Sequence, residues 1–412
     1  MINLIFVREH PEDFKRLILR KSPSFPIDRF ISLEKQVSVA QREIEQLRAE
    51  KNRLAKEAQK GITPEIRQES QKISAELKQM EPFFEKIEAE FKDLYLHCPN
   101  IPAEDIPEGN KEANKVIKTV GQQPHFTFEP KNHVELGKKL GWFDFEAAAT
   151  MTGTNFALYK GDAVRMLYSL TIMMLNNNVK HGFNPVLPPY LVNEQSLINA
   201  SNFPIFKDSV YAVPEDKLYL TPTAEVNITN LYRDTILTID QLPERSTAWT
   251  SCFRREAGTH GAHERGLIRI HQFEKVELYT VCTPESAQEE HERMVACAES
   301  ILKSLGLHYR VSLLAAQDCS FASSKTYDIE VWMPGQKAYY EVSSSSNCTD
   351  FQARRTGIRF KRHAQDKAQY AYTLNTSSLA VPRLMVALME TYQQADGSIV
   401  WPESLKNISI QF

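Results

Sequence analysis

The sequence predicts an α+β protein: a long antiparallel helical hairpin near the N-terminus, then a body in which β-hairpins alternate with amphipathic helices. Three observations carry this. Two heptad seams of matched length flank a Gly-x-x-Pro break at residues 61–64. Residues 250–279 and 327–344 each read as two strands around a polar turn. Helical periodicity returns at 163–179, 284–305 and 384–394.

Composition bounds the reading before any motif does. The chain has 412 residues, 42% hydrophobic and 25% charged, enough for roughly two or three ordinary globular domains. A formal net charge of −3 gives no global basic bias, so a nucleic-acid partner would have to be held by a local patch. The six cysteines are scattered, without CxxC or zinc-type spacing, and read as reduced, mostly buried thiols. The opening MINLIFVREHPEDFKR lacks the apolar core and cleavage site of a signal peptide, and no apolar run reaches membrane-spanning length. A cytoplasmic protein with no membrane partner is expected.

Residues 1–26 form a short mixed segment closed by Ser22-Pro23-Ser24-Phe25-Pro26. The first seam follows: Leu33, Val37, Ala40, Ile44, Leu47, Leu54 and Ala58, interrupted by Lys51. After Gly61-Ile62-Thr63-Pro64 comes the second: Ile66, Ile73, Leu77, Met80, Phe84, Ile87, Phe91 and Leu94. Alternating three- and four-residue steps place each set on one helix face, so the two helices pair as a coiled-coil hairpin. Arms of about 30 residues, at about 1.5 Å per residue, give a length on the order of 45 Å. Arg48, Lys51, Arg53, Lys56 and Lys60 crowd the outgoing helix near the tip, diluted by Glu50 and Glu57. Such a flank is either a solvated coiled-coil surface or a rod that touches phosphates of an RNA stem.

Residues 106–130, rich in Pro, Glu, Lys and Asn, read as a linker. Beyond it, 163–179 is a helix, with Asp162 placed to cap its start, and 183–192 an extended, proline-broken strand. At 217–225 a short strand meets a helix whose N-cap suits Thr223. In the hairpin at 250–279, alternation puts Cys252, Arg254 and Glu256 on one face of the first arm. It puts Phe273, Lys275 and Glu277 on one face of the second. A guanidinium can fork onto phosphate, a ring can stack a base and a carboxylate can accept an exocyclic amine, although a plain cross-strand ion pair explains the charges equally well. In the hairpin at 327–344, Glu341 and Ser344 offer hard oxygens of the kind Mg²⁺ takes, or simply a solvent-facing edge. There is no Walker A loop, no GxGxxG after a strand and no HExxH, and His260 and His263 lack further ligands for a metal.

Phe253-Arg254-x-Glu256, Arg265-Gly266-Leu267 and His271-Gln272-Phe273-x-Lys275-Val276-Glu277 resemble motif 2 of the class II aminoacyl-tRNA synthetases, in the spelling of the seryl family. Residues 163–192 resemble motif 1, with Pro189 the best match to its interface proline. The stretch 374–383 resembles motif 3, with Arg383 as its arginine, but Thr376, Ser378 and Pro382 stand where the family usually has glycine. The resemblance covers essentially the whole chain. It implies a mostly antiparallel sheet flanked by helices, in a homodimer. It divides the chain into a tRNA-binding domain at 1–105 with its arm at about 28–97, the linker 106–130, and a catalytic domain at 131–412.

The resemblance also implies the chemistry: L-serine and ATP form seryl-adenylate, and serine passes to the 3′ end of tRNA(Ser), with tRNA(Sec) left open as a second acceptor. Arg254 would grip the α-phosphate and the serine carboxylate, Glu256 the adenine amine, and Phe273 the ring. Arg255, Ile270, Val342 and Ser343 would line the nucleotide. Glu341 and Ser344 would hold Mg²⁺, and Arg383 the γ-phosphate. Thr223, Ala224 and Glu225 would take the ammonium, Glu277 and Ser377 the serine hydroxyl, and Arg53, Lys56 and Lys60 would meet tRNA. Two other classes fit less well. A ligase that loads a carrier protein needs no long basic-tipped hairpin, and a non-catalytic RNA-binding scaffold would be free to lose Arg254, Glu341 or Arg383, all of which are present.

Overall fold

The structure, a computed structural model, describes residues 1–59, 61–256 and 266–406. Lys60 and the segment 257–265, with His260 and His263, lie outside the described residues. The chain divides into two compact units, Met1–Ile101 and Pro102–Phe412.

In the first unit, helices Leu4–Glu9 and Pro11–Lys21 precede α1 (Ile27–Ala58) and α2 (Pro64–Leu96). The seam is as the heptads require. Phe30, Leu33, Val37, Ala40, Ile44 and Leu54 of α1 and Ile73, Leu77, Ile87 and Phe91 of α2 are all buried. Each of these side chains larger than alanine contributes roughly 1.5–3 kcal/mol on burial. The exposed cross-helix pairs Arg29–Glu90 and Arg48–Glu81 add at most about 1 kcal/mol each, so the apolar seam holds the hairpin. Thr63 caps α2 by accepting from the Ile66 N–H, and Pro64 occupies its first turn, where its missing N–H costs nothing. Pro82 sits inside α2 on its exposed side, so water can meet the carbonyl it releases. The basic tip is partly neutralised from within: Arg53 is bonded to Glu50 and Glu57, whereas Lys51 and Lys56 are exposed.

The second unit is built on an eight-stranded sheet. Its strands are β1 (Lys115–Val120), β2 (Asn184–Val186), β3 (Glu244–Phe253), β4 (Gln272–Cys282), β5 (Tyr309–Leu313), β6 (Lys325–Met333), β7 (Ala338–Asn347) and β8 (Tyr372–Ala380). Their spatial order is β1-β5-β6-β7-β8-β4-β3-β2, and every pairing is antiparallel except β2 with β3. Along β4 the alternation separates two environments. Val276 and Leu278 face the apolar cores under α3 (Asp162–Lys180), α5 (Ala287–Ser304) and α7 (Val381–Tyr392). Tyr279 faces a second cluster with α4 (Ala224–Leu231) and α6 (Phe351–Thr356).

Three local expectations are corrected. Residues 106–130 are not simply a linker, because they contain β1, an edge strand paired to β5. Its side chains are nearly all exposed, so no hydrophobic alternation announces it; backbone pairing holds it. Asp162 does not cap α3: Gly161 occupies the cap, and Asp162 is the first helical residue, paired with Arg165. The stretch 183–192 is two short strands in different sheets, β2 and Leu191–Asn193, separated by the prolines.

Candidate active site

A cavity of about 590 Å³ opens on the face of the sheet carrying Phe273 and Lys275, and Thr223, Arg254, Glu256, Ile270, Glu341, Val342, Ser377 and Arg383 share its walls. Strand register explains the grouping. Cys252 pairs with Phe273, Thr250 with Lys275 and Ala248 with Glu277, while Glu277 also lies directly opposite Ser377 of β8. Phe273, Lys275, Glu277 and Ser377 are therefore neighbours on one surface.

Arg254 lies one residue past the end of β3. Its backbone N–H donates to the His271 carbonyl at 2.8 Å, and its Nε donates to the Pro222 carbonyl at 3.2 Å. Its guanidinium lies 5.1 Å from the Phe273 ring centre, a stacking arrangement that leaves the other nitrogens for an anion. Glu256 is not on the strand face expected of it. The chain has left the strand, Glu256 has φ +51°, and its carboxylate pairs with Arg269, a cavity residue that sequence reasoning left without a role.

Arg383 sits in the first turn of α7 behind Pro382. It donates from Nε to the Ile268 carbonyl at 3.2 Å and from Nη1 to the Glu341 carbonyl at 2.8 Å. Two of the three residues replacing motif 3 glycines are accommodated by their hydroxyls. Thr376 bonds Ser345 at 2.6 Å, and Ser378 donates to Asn178 of α3 at 3.0 Å.

Glu341 and Ser344 are three apart, which on a regular strand would put them on opposite faces. A bulge corrects this: Glu341 pairs with Glu330 and Ser343 with Ile329, leaving Val342 as the extra residue. Glu341 and Ser344 consequently share a face, opposite Glu330 and Asp328. Asp328 Oδ1 is buried without a hydrogen-bond partner, and burial together with Glu341 pushes its carboxyl well above the usual range. Hard oxygens and a cation-deficient carboxylate fit a divalent ion. No spacing rule points to Asp328, because it reaches the site from the neighbouring strand.

Behind Thr223 and Lys275 lie two carboxylates, Glu277 buried and Glu225 half-buried. Thr223 donates to Glu277 Oε2 at 3.0 Å while its own Oγ1 accepts from Lys275 Nζ at 2.7 Å, and Lys275 is ion-paired with Glu277. Thr223 still caps α4, so its two roles coexist. Glu225 is held by Gln352 Nε2 at 2.6 Å and Asn375 Nδ2 at 3.2 Å. Burial, then the nearby Glu277 charge, push the Glu225 carboxyl up to about 7, while Gln352, Lys275 and Arg254 pull it back. An ammonium ligand needs Glu225 ionised, so its binding releases a proton whenever the free site is protonated. The KM for such a ligand is therefore expected to rise as pH falls through about 7, by up to about tenfold per pH unit, and to be flattened in Glu225→Gln. Measuring KM between about pH 8 and about pH 6 checks this; an unchanged KM would remove Glu225 from the ligand site.

Some expected residues are not brought to the cavity. Arg255 is exposed, with its backbone N–H on the Ser209 carbonyl. Ala224 is packed in the cluster under α4, and Ser343 is buried with its hydroxyl on the Ser377 carbonyl. Among described residues no cluster of three or more His, Cys, Asp or Glu is arranged to hold a metal, and all six cysteines are buried and unbridged.

An antiparallel sheet that carries an arginine at a β-hairpin's rim, a second arginine opening a helix and a cavity between them defines the core of a class II tRNA synthetase. Residues 210–392 match the tRNA synthetase class II core domain (G, H, P, S and T), and residues 1–102 match the seryl-tRNA synthetase N-terminal domain. The serine–tRNA ligase of Chlamydia pneumoniae is 43% identical over 98% of this chain and 97% of its own. The seryl-tRNA synthetase of Pyrococcus horikoshii, solved with ATP, superposes with a TM-score of 0.93 at 32% identity, over 99% of this chain and 98% of the other. The cytoplasmic serine–tRNA ligase of Naegleria fowleri, solved with AMP, gives 0.84 at 25% identity, over 97% and 94%. The chain belongs to the seryl-tRNA synthetase family.

Proposed function

We infer that the protein is a serine–tRNA ligase that activates L-serine with ATP and transfers it to the 3′ end of tRNA(Ser). The observation that carries the serine reading is the cross-strand pair Glu277–Ser377 beside Thr223, with Glu225 half-buried behind. In the first step a serine carboxylate oxygen attacks the α-phosphorus of ATP, the bond to pyrophosphate breaks, and seryl-adenylate forms. In the second, a hydroxyl of the terminal ribose attacks the acyl carbon and AMP leaves. Neither step needs a covalent enzyme intermediate; positioning and charge stabilisation suffice.

Arg254 brings together two anions, the α-phosphate and the serine carboxylate. Phe273 stacks the adenine, Glu256 accepts its amine and Arg383 takes the γ-phosphate. Glu225 receives the serine ammonium, and Glu277 with Ser377 receives its hydroxyl. Glu341 and Ser344 would hold Mg²⁺, which when bound offsets phosphate charge. The arm, through Lys56 and its neighbours, meets the tRNA backbone. Charging of tRNA(Ser) with labelled serine tests the overall reading; a folded protein that transfers no serine would refute it.

The enzyme acts as a homodimer and in the cytoplasm, where six unbridged thiols are at home. Support for the dimer comes from an apolar surface around motif 1. Leu187 is 77% exposed, Leu191 is exposed, Ile172 and Val179 are exposed seven residues apart on α3, and β2 is the sheet's edge strand. Leu187→Asp is expected to weaken association, read as a shift toward monomer mass in analytical ultracentrifugation at micromolar protein. An unshifted dimer would place the interface elsewhere.

A further inference from the structure

Two carboxylates, the buried Glu277 and the half-buried Glu225, lie close enough for the charge of one to raise the other's proton affinity, yet the substrate brings a single ammonium to this end of the site. Either carboxylate has the right charge to take it. Something must direct the ammonium to one and leave the other for a neutral hydroxyl. We propose that Lys275 is that specificity-determining group: by pairing with Glu277 it cancels one of the two charges and turns Glu277 into a reader of hydroxyl rather than of ammonium.

The geometry favours this over a plain structural ion pair. Lys275 is 6% exposed and is one of the residues lining the cavity, so its pairing is set at the edge of the ligand space. Its Nζ contacts the Glu277 carboxylate and lies 2.7 Å from Thr223 Oγ1, which itself donates to Glu277 Oε2 at 3.0 Å. Lysine, threonine and glutamate thus form a closed triangle with no net charge. Glu225, in contrast, is held by two neutral amides, Gln352 and Asn375, which support a carboxylate without cancelling it. One carboxylate is paired with a cation and the other is not, and that difference separates a hydroxyl subsite from an ammonium subsite. A buried pair left without its cation exposes an uncompensated charge, so removing Lys275 changes what Glu277 attracts as well as how tightly it is held.

The proposal rests on the serine reading given above, so its test separates the two. The probe is L-2,3-diaminopropionate, which is serine with an amine in place of the hydroxyl, compared with serine in ATP–pyrophosphate exchange in mildly acidic buffer. Lys275→Met, which keeps shape and loses charge, is expected to raise the ratio of kcat/KM for diaminopropionate over serine by about tenfold or more. Lys275→Arg, which keeps the charge and strains the fit, is expected to leave that ratio near native. A packing role would produce the reverse order, with Met the milder change. Both readouts are ratios of two substrates on one preparation, so a partly unfolded variant does not distort them, and Lys275→Gln is read identically if the Met variant fails to fold. In parallel, Glu277→Gln is expected to shrink the preference for serine over alanine. If it does not, the hydroxyl reading of Glu277 falls and the proposal falls with it. If Glu277→Gln behaves as expected while Lys275→Met leaves the diaminopropionate ratio unchanged, the assignment of Lys275 alone is overturned.

Discussion

Arg254→Ala is expected to slow seryl-adenylate formation by about 10³-fold or more, which corresponds to about 4 kcal/mol of lost transition-state stabilisation. The magnitude follows from the role proposed for the guanidinium. Two anions must approach within bonding distance, and in a cavity walled by Phe273 and Ile270 their repulsion is poorly screened by water. One planar cation with parallel donors can hold both, and no other cavity residue lies where Arg254 is anchored, between the Pro222 carbonyl and the Phe273 ring. The fold loses little by the change. Arg254 is only partly buried, and the backbone bond that fixes this turn, from its N–H to the His271 carbonyl, is kept by alanine. Thermal melting should therefore stay near native while pyrophosphate exchange collapses. Near-normal exchange in a folded variant would show that the cavity uses another group.

Replacing residues 33–94 with a short Gly/Ser linker is expected to leave serine activation intact and to lower kcat/KM for tRNA charging by at least about 10³-fold, the loss expected when many phosphate contacts are removed together. The arm belongs to a compact unit of its own, Met1–Ile101, and buries its apolar seam helix against helix. Helices of 32 and 33 residues span nearly 50 Å at about 1.5 Å per residue, long enough to touch tRNA far from its acceptor end. Within the arm, Lys56→Glu should weaken tRNA binding more than Arg53→Ala, because Arg53 is already bonded to Glu50 and Glu57. An armless protein that charges tRNA(Ser) at a near-native rate would make the hairpin a structural device.

Legibility in the sequence followed from how locally each feature is encoded. The arm could be read residue by residue, because along most of its length its heptads bury one helix against the other. Phe273, Lys275 and Glu277 could be placed on one face because β4 is regular. Lys275 gained no role there, since a lysine two residues from a glutamate reads as an ordinary ion pair until Thr223 is seen to close the triangle. Gln352 and Asn375 carry no local signal at all; they matter because they meet Glu225, 127 and 150 residues away in the chain. Glu341 and Ser344 were joined by their hard oxygens and by resemblance, and the reason they share a face, a bulge at Val342, appears only in the pairing with β6. Strand β1 was hidden for the opposite reason: an exposed edge strand needs no apolar pattern, so its sequence looks like a tether.

ATP–pyrophosphate exchange screened across the amino acids tests most directly whether the cavity lined by Arg254, Thr223 and Lys275 activates serine. Serine is expected to support exchange, with alanine and glycine lower by at least about 10²-fold, because neither offers a hydroxyl to Glu277 and Thr223. A folded, ATP-binding protein that exchanges best with another amino acid, or with none, would contradict the account.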